Sequence, residues 1–278
     1  MHLINSLERT KSLDRLVGPG QRVARLLPPG RARDALYGVW LGHPLHPMLV
    51  QVPVGTWLSA SLLDLWPGNE AASRRLALAG VAASVPAALA GTADWSEQHE
   101  QQMRVGTVHA LANTAAAALY AASAAVPARA RGLRLAGLAV AAVGGLLGGH
   151  LSFRQSAGAN QAEPVPHLVE PGWHDLLPAA EFDRLPDRQP TRRTIGDVPV
   201  VVIRDGGQAH VLADRCSHLS GPLSDGDYRD GCLTCPWHGS TFRVSDGSVA
   251  RGPATAPQPV FRTRITGEAL QACLPGAG

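Results

Sequence analysis

Four side chains in the last third of the chain have the types and spacing of a metal centre. Cys216-Ser217-His218 is followed, after sixteen residues, by Cys235-Pro236-Trp237-His238. Each half offers one thiolate and one imidazole, a soft and a borderline donor, with one or two residues between them. Two such pairs on neighbouring loops could close a tetrahedral zinc site or hold an iron-sulfur cluster, and both remain open at this point. Cys232 forms a CxxC with Cys235, but Cys235 already belongs to a Cys-His pair, so Cys232 is expected as a buried strand residue. Cys273 carries no pattern, and His167, His174 and His210 lack any paired spacing.

Loops of this kind need a frame. Short β-type runs at 198–204, 208–213 and 260–265 alternate with the turns Asp205-Gly206-Gly207 and Thr266-Gly267, which indicates a small antiparallel β domain over 169–278. Residues 153–168, rich in Pro, Gly and small side chains, are expected as a linker. Upstream the chain changes character. Runs at 48–66, 76–93, 105–126 and 133–151 are long and apolar enough to suggest four membrane spans, since a span needs about 20 residues. Trp40, Trp66 and Trp95 fall at their ends, where an aromatic belt would stand. The fold class expected is thus a four-helix transmembrane bundle over 41–152 followed by the β domain. A soluble Ala-rich bundle is the alternative, because the third run carries His109, Asn113 and Thr114.

Composition fits that division. The 278 residues are 45% apolar with a formal charge of +3, yet residues 1–151 hold 13 basic and 8 acidic side chains (+5) and the remainder 12 and 14 (−2). Four cysteines, all in the acidic half, are too few for a disulfide scaffold. Residues 1–40, with seven basic side chains, are expected as a short amphipathic helix on the membrane surface or as a solvated tail. They have no apolar core segment, so no cleavable signal is expected. Four antiparallel spans would bring His43, His46, Asp94, His99, His109 and His150 to one face. There His43, His46, His109 and His150 form a possible site for haem b, a metal or a quinone. Gly144, Gly145, Gly148 and Gly149 would admit a close helix or a flat ligand. Helix capping and polar contacts between helices are the alternative role for these histidines.

CSHLSGPLSDG and CPWHGSTFRVSDGSVARGPATAP resemble the two cluster loops and the following Pro loop of Rieske 2Fe-2S proteins, from about His167 onward. The resemblance implies that Cys216 and Cys235 bind one iron and His218 and His238 the other, with Ser240 hydrogen-bonding the cluster. It implies outward-facing imidazole edges, and potentials between about −150 and +300 mV. Where quinol-oxidising relatives carry a cross-loop disulfide, this sequence has Gly221 and Trp237, and where they carry a Tyr it has Phe242. The first departure resembles cytosolic ferredoxin and oxygenase types; the second implies a low to intermediate potential. GHPLHPMLV, GTADW, HALAN and GGHLSF complete a resemblance to bacterial proteins in which an uncharacterised four-span domain is fused to a Rieske domain. The function implied is a membrane-anchored electron carrier without its own substrate site. Alternatives are a ferredoxin-like donor to an oxygenase and a redox sensor coupled to the membrane domain. A mononuclear oxygenase iron is not expected, because no His follows His238. Expected partners are a redox protein, the lipid bilayer and a quinone, with no nucleic acid. The expected location is the bacterial cell membrane, multi-pass, with the cluster domain cytoplasmic.

Overall fold

The computed structural model describes residues 2–275. It divides into two compact units: Met1–Leu36 with Pro44–Gly158, and Tyr37–His43 with Ala159–Gly278.

The first unit is helical. Helices α1 (His2–Arg9), α2 (Asp14–Ala24) and α3 (Arg31–Tyr37) precede α4 (His46–Leu49) and α5 (Gln51–Leu63). Then come α6 (Glu70–Trp95), α7 (Glu100–Ala125) and α8 (Ala130–Gly149), the last running on into a π-helical turn, His150–Arg154. Successive long helices pack on one another and α5 closes against α8, giving a four-helix ring. Two helical stretches, Glu70–Trp95 and Pro127–Arg154, are long and apolar enough to cross a membrane. In contrast, α5 is only 13 residues long.

The packing inside this ring uses small side chains. Ala60, Ala77, Ala90 and Ala116 are fully buried, while Val54, Val85 and Leu146 are 56%, 58% and 63% exposed. Trp57 and Tyr120 stack at 4.8 Å, and the Tyr120 hydroxyl meets Ser61 Oγ at 2.9 Å. Gly80 lies against the Trp57 indole so closely that a Cβ there would collide with it. At one end Arg134 makes a buried bidentate pair with Asp64, both bonds 2.6 Å.

The amino-terminal segment is not a free tail but a run of short helices. Helices α1 and α2 pack on α7. The buried Arg104 guanidinium donates to both Asp14 carboxylate oxygens at 2.7 and 2.9 Å and to the Glu8 carbonyl at 3.0 Å. Arg33 binds Glu97 at 2.6 Å and Ser96 Oγ at 3.0 Å. Burying a guanidinium requires a fixed partner; Asp14 supplies it for Arg104 and Glu97 for Arg33, and the two pairs hold the segment on the helix ends.

The second unit is antiparallel β. Strands β1 (His174–Pro178), β2 (Thr191–Ile195), β3 (Val198–Asp205), β4 (Gln208–Ala213), β9 (Val260–Ile265) and β10 (Ala269–Cys273) form one sheet, in the order β1-β10-β9-β4-β3-β2. The short strands β5 (Asp227–Arg229), β6 (Cys232–Thr234), β7 (Thr241–Arg243) and β8 (Val249–Arg251) form a second. Strand β3 shows why its sequence is one apolar run: successive side chains face opposite sides, and both sides are core. Val200 and Val202 pack with Phe182 and Leu270, while Val201 and Ile203 pack with Cys216, Leu233, Cys235 and Phe242. The second face is the floor of the candidate site.

Candidate functional site

Both Cys-His loops leave this floor as tight turns with the same internal bonding. In the first, the Cys216 N–H donates to the Gly221 carbonyl at 2.9 Å and the Ser220 N–H to the Cys216 carbonyl at 2.9 Å. In the second, the Cys235 N–H donates to the Ser240 carbonyl at 2.8 Å and the Gly239 N–H to the Cys235 carbonyl at 3.1 Å. The fourth residue after each Cys turns through the left-handed region, Ser220 at φ 61° and Gly239 at φ 75°. Each sulfur accepts backbone N–H bonds from the residues two and three places on: His218 and Leu219 for Cys216, Trp237 and His238 for Cys235. The loops are two copies of one device.

They face each other. The two thiols are within hydrogen-bonding reach, and both cysteines are buried. The hydrogen bond between them holds the Cys235 thiol below its usual range and pushes Cys216 up, with burial adding to the rise at Cys216. The His218 and His238 rings lie 5.1 Å apart, centroid to centroid, and both are half-buried. A metal–nitrogen bond of about 2.0 Å puts an imidazole centroid about 3.1 Å from the metal, so two rings on one tetrahedral ion stand about 5.1 Å apart. The donor set therefore fits two irons, one taking the thiolates and one the imidazoles. Among the described residues no three of His, Cys, Asp and Glu converge on one ion; these four come as two pairs.

The loop that follows β8 locks both turns. Gln258 accepts from the Ser217 N–H at 3.1 Å and donates to the Ala213 and Arg215 carbonyls at 2.7 and 2.6 Å. Ser240, fully buried, accepts from the Ala254 N–H at 2.9 Å. Behind the first turn, Asp214 accepts from the Ser224 N–H at 2.6 Å. Gln258 and Asp214 carry no spacing signal in the sequence. Gly221 and Trp237 turn out to be neighbours across the loops: a Cβ on Gly221 would lie 3.1 Å from the Trp237 ring and 2.8 Å from Cys235 Sγ. The indole, 50% exposed, lies over Gly221, and all four cysteines are free thiols. Cys232 lies on β6 as expected, but half-buried.

The four histidines of the helical half are not all gathered. His46 and His109 adjoin, with centroids 6.1 Å apart. His150 turns away to Glu8, Nε2 to Oε1 at 2.8 Å. His43 belongs with the β unit. The glycines of α8 receive side chains of α7: a Cβ on Gly144 would meet Asn113 at 2.6 Å, and one on Gly148 would meet His109 at 3.2 Å.

Residues 173–262 match the family described as Rieske [2Fe-2S] domain, and residues 42–161 match that described as Predicted membrane protein (DUF2231). The anthranilate 1,2-dioxygenase ferredoxin subunit of Burkholderia cepacia is 33% identical over 93 residues, 34% of this chain and 83% of that protein. The ferredoxin component of biphenyl 2,3-dioxygenase from Rhodococcus jostii (strain RHA1) is 31% identical over 81 residues, 29% of this chain and 76% of that protein. Among solved structures, the ferredoxin of carbazole 1,9a-dioxygenase from Nocardioides aromaticivorans IC177 aligns at a TM-score of 0.34 with 23% identity, over 36% of this chain and 99% of that one. By its carboxy-terminal third the chain belongs to the Rieske 2Fe-2S family, and that part is joined to an amino-terminal domain of a predicted membrane protein family.

Proposed function

We propose that this protein is a membrane-anchored one-electron carrier in which Cys216 and Cys235 ligate one iron and His218 and His238 the other. The twin turns carry this reading, because they bring two thiols into contact and set two imidazoles 5.1 Å apart on a single floor. When bound, a Rieske cluster supplies reversible one-electron chemistry at about −150 to +300 mV. The chain does the rest. Backbone N–H groups of His218, Leu219, Trp237 and His238 aim at the sulfurs and offset their negative charge. Cys216, Leu219, Leu223 and Phe242 keep water from the thiolate side. The half-buried imidazole edges give the electron its way in and out, and their ring protons tie the potential to pH. Purified reduced protein should hold two irons and two sulfides per chain and give an EPR signal of low average g. Cys216→Ser and His238→Ala should each abolish that signal. Zinc without sulfide in the native protein would overturn the assignment.

Four spans, 48–66, 76–93, 105–126 and 133–151, anchor the carrier in this reading, with the linker at 153–168. Support comes from the inside-out packing, in which alanines are buried while valines and leucines face outward. The cluster domain is placed on the cytoplasmic side because Gly221 and Trp237 stand where an oxidised cross-loop bridge would be. Protease in inside-out vesicles should cleave the cluster domain; cleavage only in right-side-out cells would reverse the orientation. Similarity to dioxygenase ferredoxins favours a second reading of the partner, an oxygenase component that receives the electron.

A further inference from the structure

A second pair of imidazoles meets inside the helical unit, and its construction resembles that of a ligand pair more than that of a core contact. His46 begins α4 and His109 lies in α7; their rings are 6.1 Å apart with planes at 78°. Each is held in the same way. His46 Nδ1 lies 2.8 Å from the Ala87 carbonyl on α6, and His109 Nδ1 lies 2.8 Å from the Gly144 carbonyl on α8. A carbonyl oxygen can only accept, so each Nδ1 carries the proton and each Nε2 keeps an in-plane lone pair.

Asn113, one turn on in α7, contacts the His109 ring only at long range, and an ion at Nε2 would displace that contact. Its Nδ2 is 3.4 Å from Nδ1 and 3.3 Å from Nε2, both long contacts, and its short bond is the one it donates to the His109 carbonyl at 2.9 Å. Glycines hold the rings in place from behind. A Cβ on Gly91 would lie 2.7 Å from His46 Nδ1, and one on Gly148 would lie 3.2 Å from His109 Cε1. Four helices thus orient two neutral imidazoles. An apolar pair would fill the same volume without placing polar groups in this unit.

We propose that His46 and His109 together hold one monovalent copper ion. The separation chooses the geometry: with a bond of about 2.0 Å, two imidazoles facing across one ion have centroids about 6.2 Å apart, against about 5.1 Å at a tetrahedral vertex. The 6.1 Å found matches the collinear separation and not the tetrahedral one. Among the described residues no third His, Cys, Asp or Glu joins the pair. Imidazole suits copper and zinc alike; Cu(I) accepts two collinear donors, whereas Zn(II) completes four. A single positive charge is also the least costly to desolvate.

The site stands independently of the cluster reading, and its test separates the two. Full-length protein without a polyhistidine tag, its cluster intact by EPR, is titrated anaerobically with Cu(I) against the chromophoric chelator bicinchoninate. One copper per chain should resist the chelator, and X-ray absorption should show two nitrogen neighbours. His46→Gln and His109→Gln should each weaken retention at least about 100-fold while leaving the EPR signal unchanged. Absence of chelator-resistant copper in the unaltered protein overturns the proposal without relying on any variant. Copper retained by both variants, or zinc that copper cannot displace, overturns it equally.

Discussion

Ser240 and Phe242 set what the thiolates feel. The Ser240 hydroxyl already accepts from the Ala254 N–H, so its own proton is available to the cluster side. Phe242 is fully buried in the same core as both cysteines and brings a hydrocarbon edge. Donors to the sulfurs stabilise the reduced, more negative state. Phe242→Tyr should therefore raise the midpoint, and Ser240→Ala should lower it, each by about 60 mV, the one-electron equivalent of about 1.4 kcal/mol; redox titration reads both. A second residue-scale prediction concerns pH. The Tyr228 hydroxyl donates to Asp205 at 2.7 Å, and burial, then that bond, push the phenol up to about 12. The Arg188 guanidinium, then Tyr228, hold the Asp205 carboxyl below its usual range. A raised phenol stabilises the fold in full below the unfolded value of about 10, and the benefit disappears as pH rises through about 12. Thermal denaturation should show unaltered protein exceeding Tyr228→Phe at neutral pH, with the two converging at strong alkali.

Between elements, two close contacts decide stability. Asp64 ends α5, and Arg134 in α8 is buried against it. Removing one partner by Arg134→Ala leaves a buried carboxylate and should cost about 3–5 kcal/mol, measured by thermal unfolding in detergent. The joint change to Asp64→Leu with Arg134→Met should recover most of that loss. At the cluster loops, Gly221→Ala pushes a methyl into Cys235 Sγ and the Trp237 ring; iron and sulfide content should fall while the β sheets remain by circular dichroism. The candidate ligands were legible in the sequence because thiolate and imidazole chemistry belongs to residue type, and Cys216, His218, Cys235 and His238 announce it locally. Strands β3, β4 and β9 were legible because each is long enough to show its pattern. Strands β5 to β8 have three residues each, too few for any period to appear. Gln258 was invisible for a different reason: its partner Ser217 is 41 residues away, and a lone Gln in a loop has no pattern.

Over the whole molecule, composition divides as structure does, a helical unit with alanines inside and a β unit with valines inside. The role of the first forty residues was hidden in the sequence, since Arg104 and Asp14 are 90 positions apart and Arg33 and Glu97 are 64. If the outward Val54, Val85 and Leu146 face lipid, carbonate washing should leave the protein in the membrane pellet; recovery in the supernatant would refute the anchor. The duplicated turns have one more consequence. Each closes on its own backbone, so the N–H groups aimed at the sulfurs are fixed by the fold and not by the charge they meet. Gain or loss of an electron by a cluster bound there would ask for little nuclear rearrangement. For a cluster held by these turns the reorganisation energy should be small, and transfer rates should be governed by how near a partner can bring its own centre to the two imidazole edges.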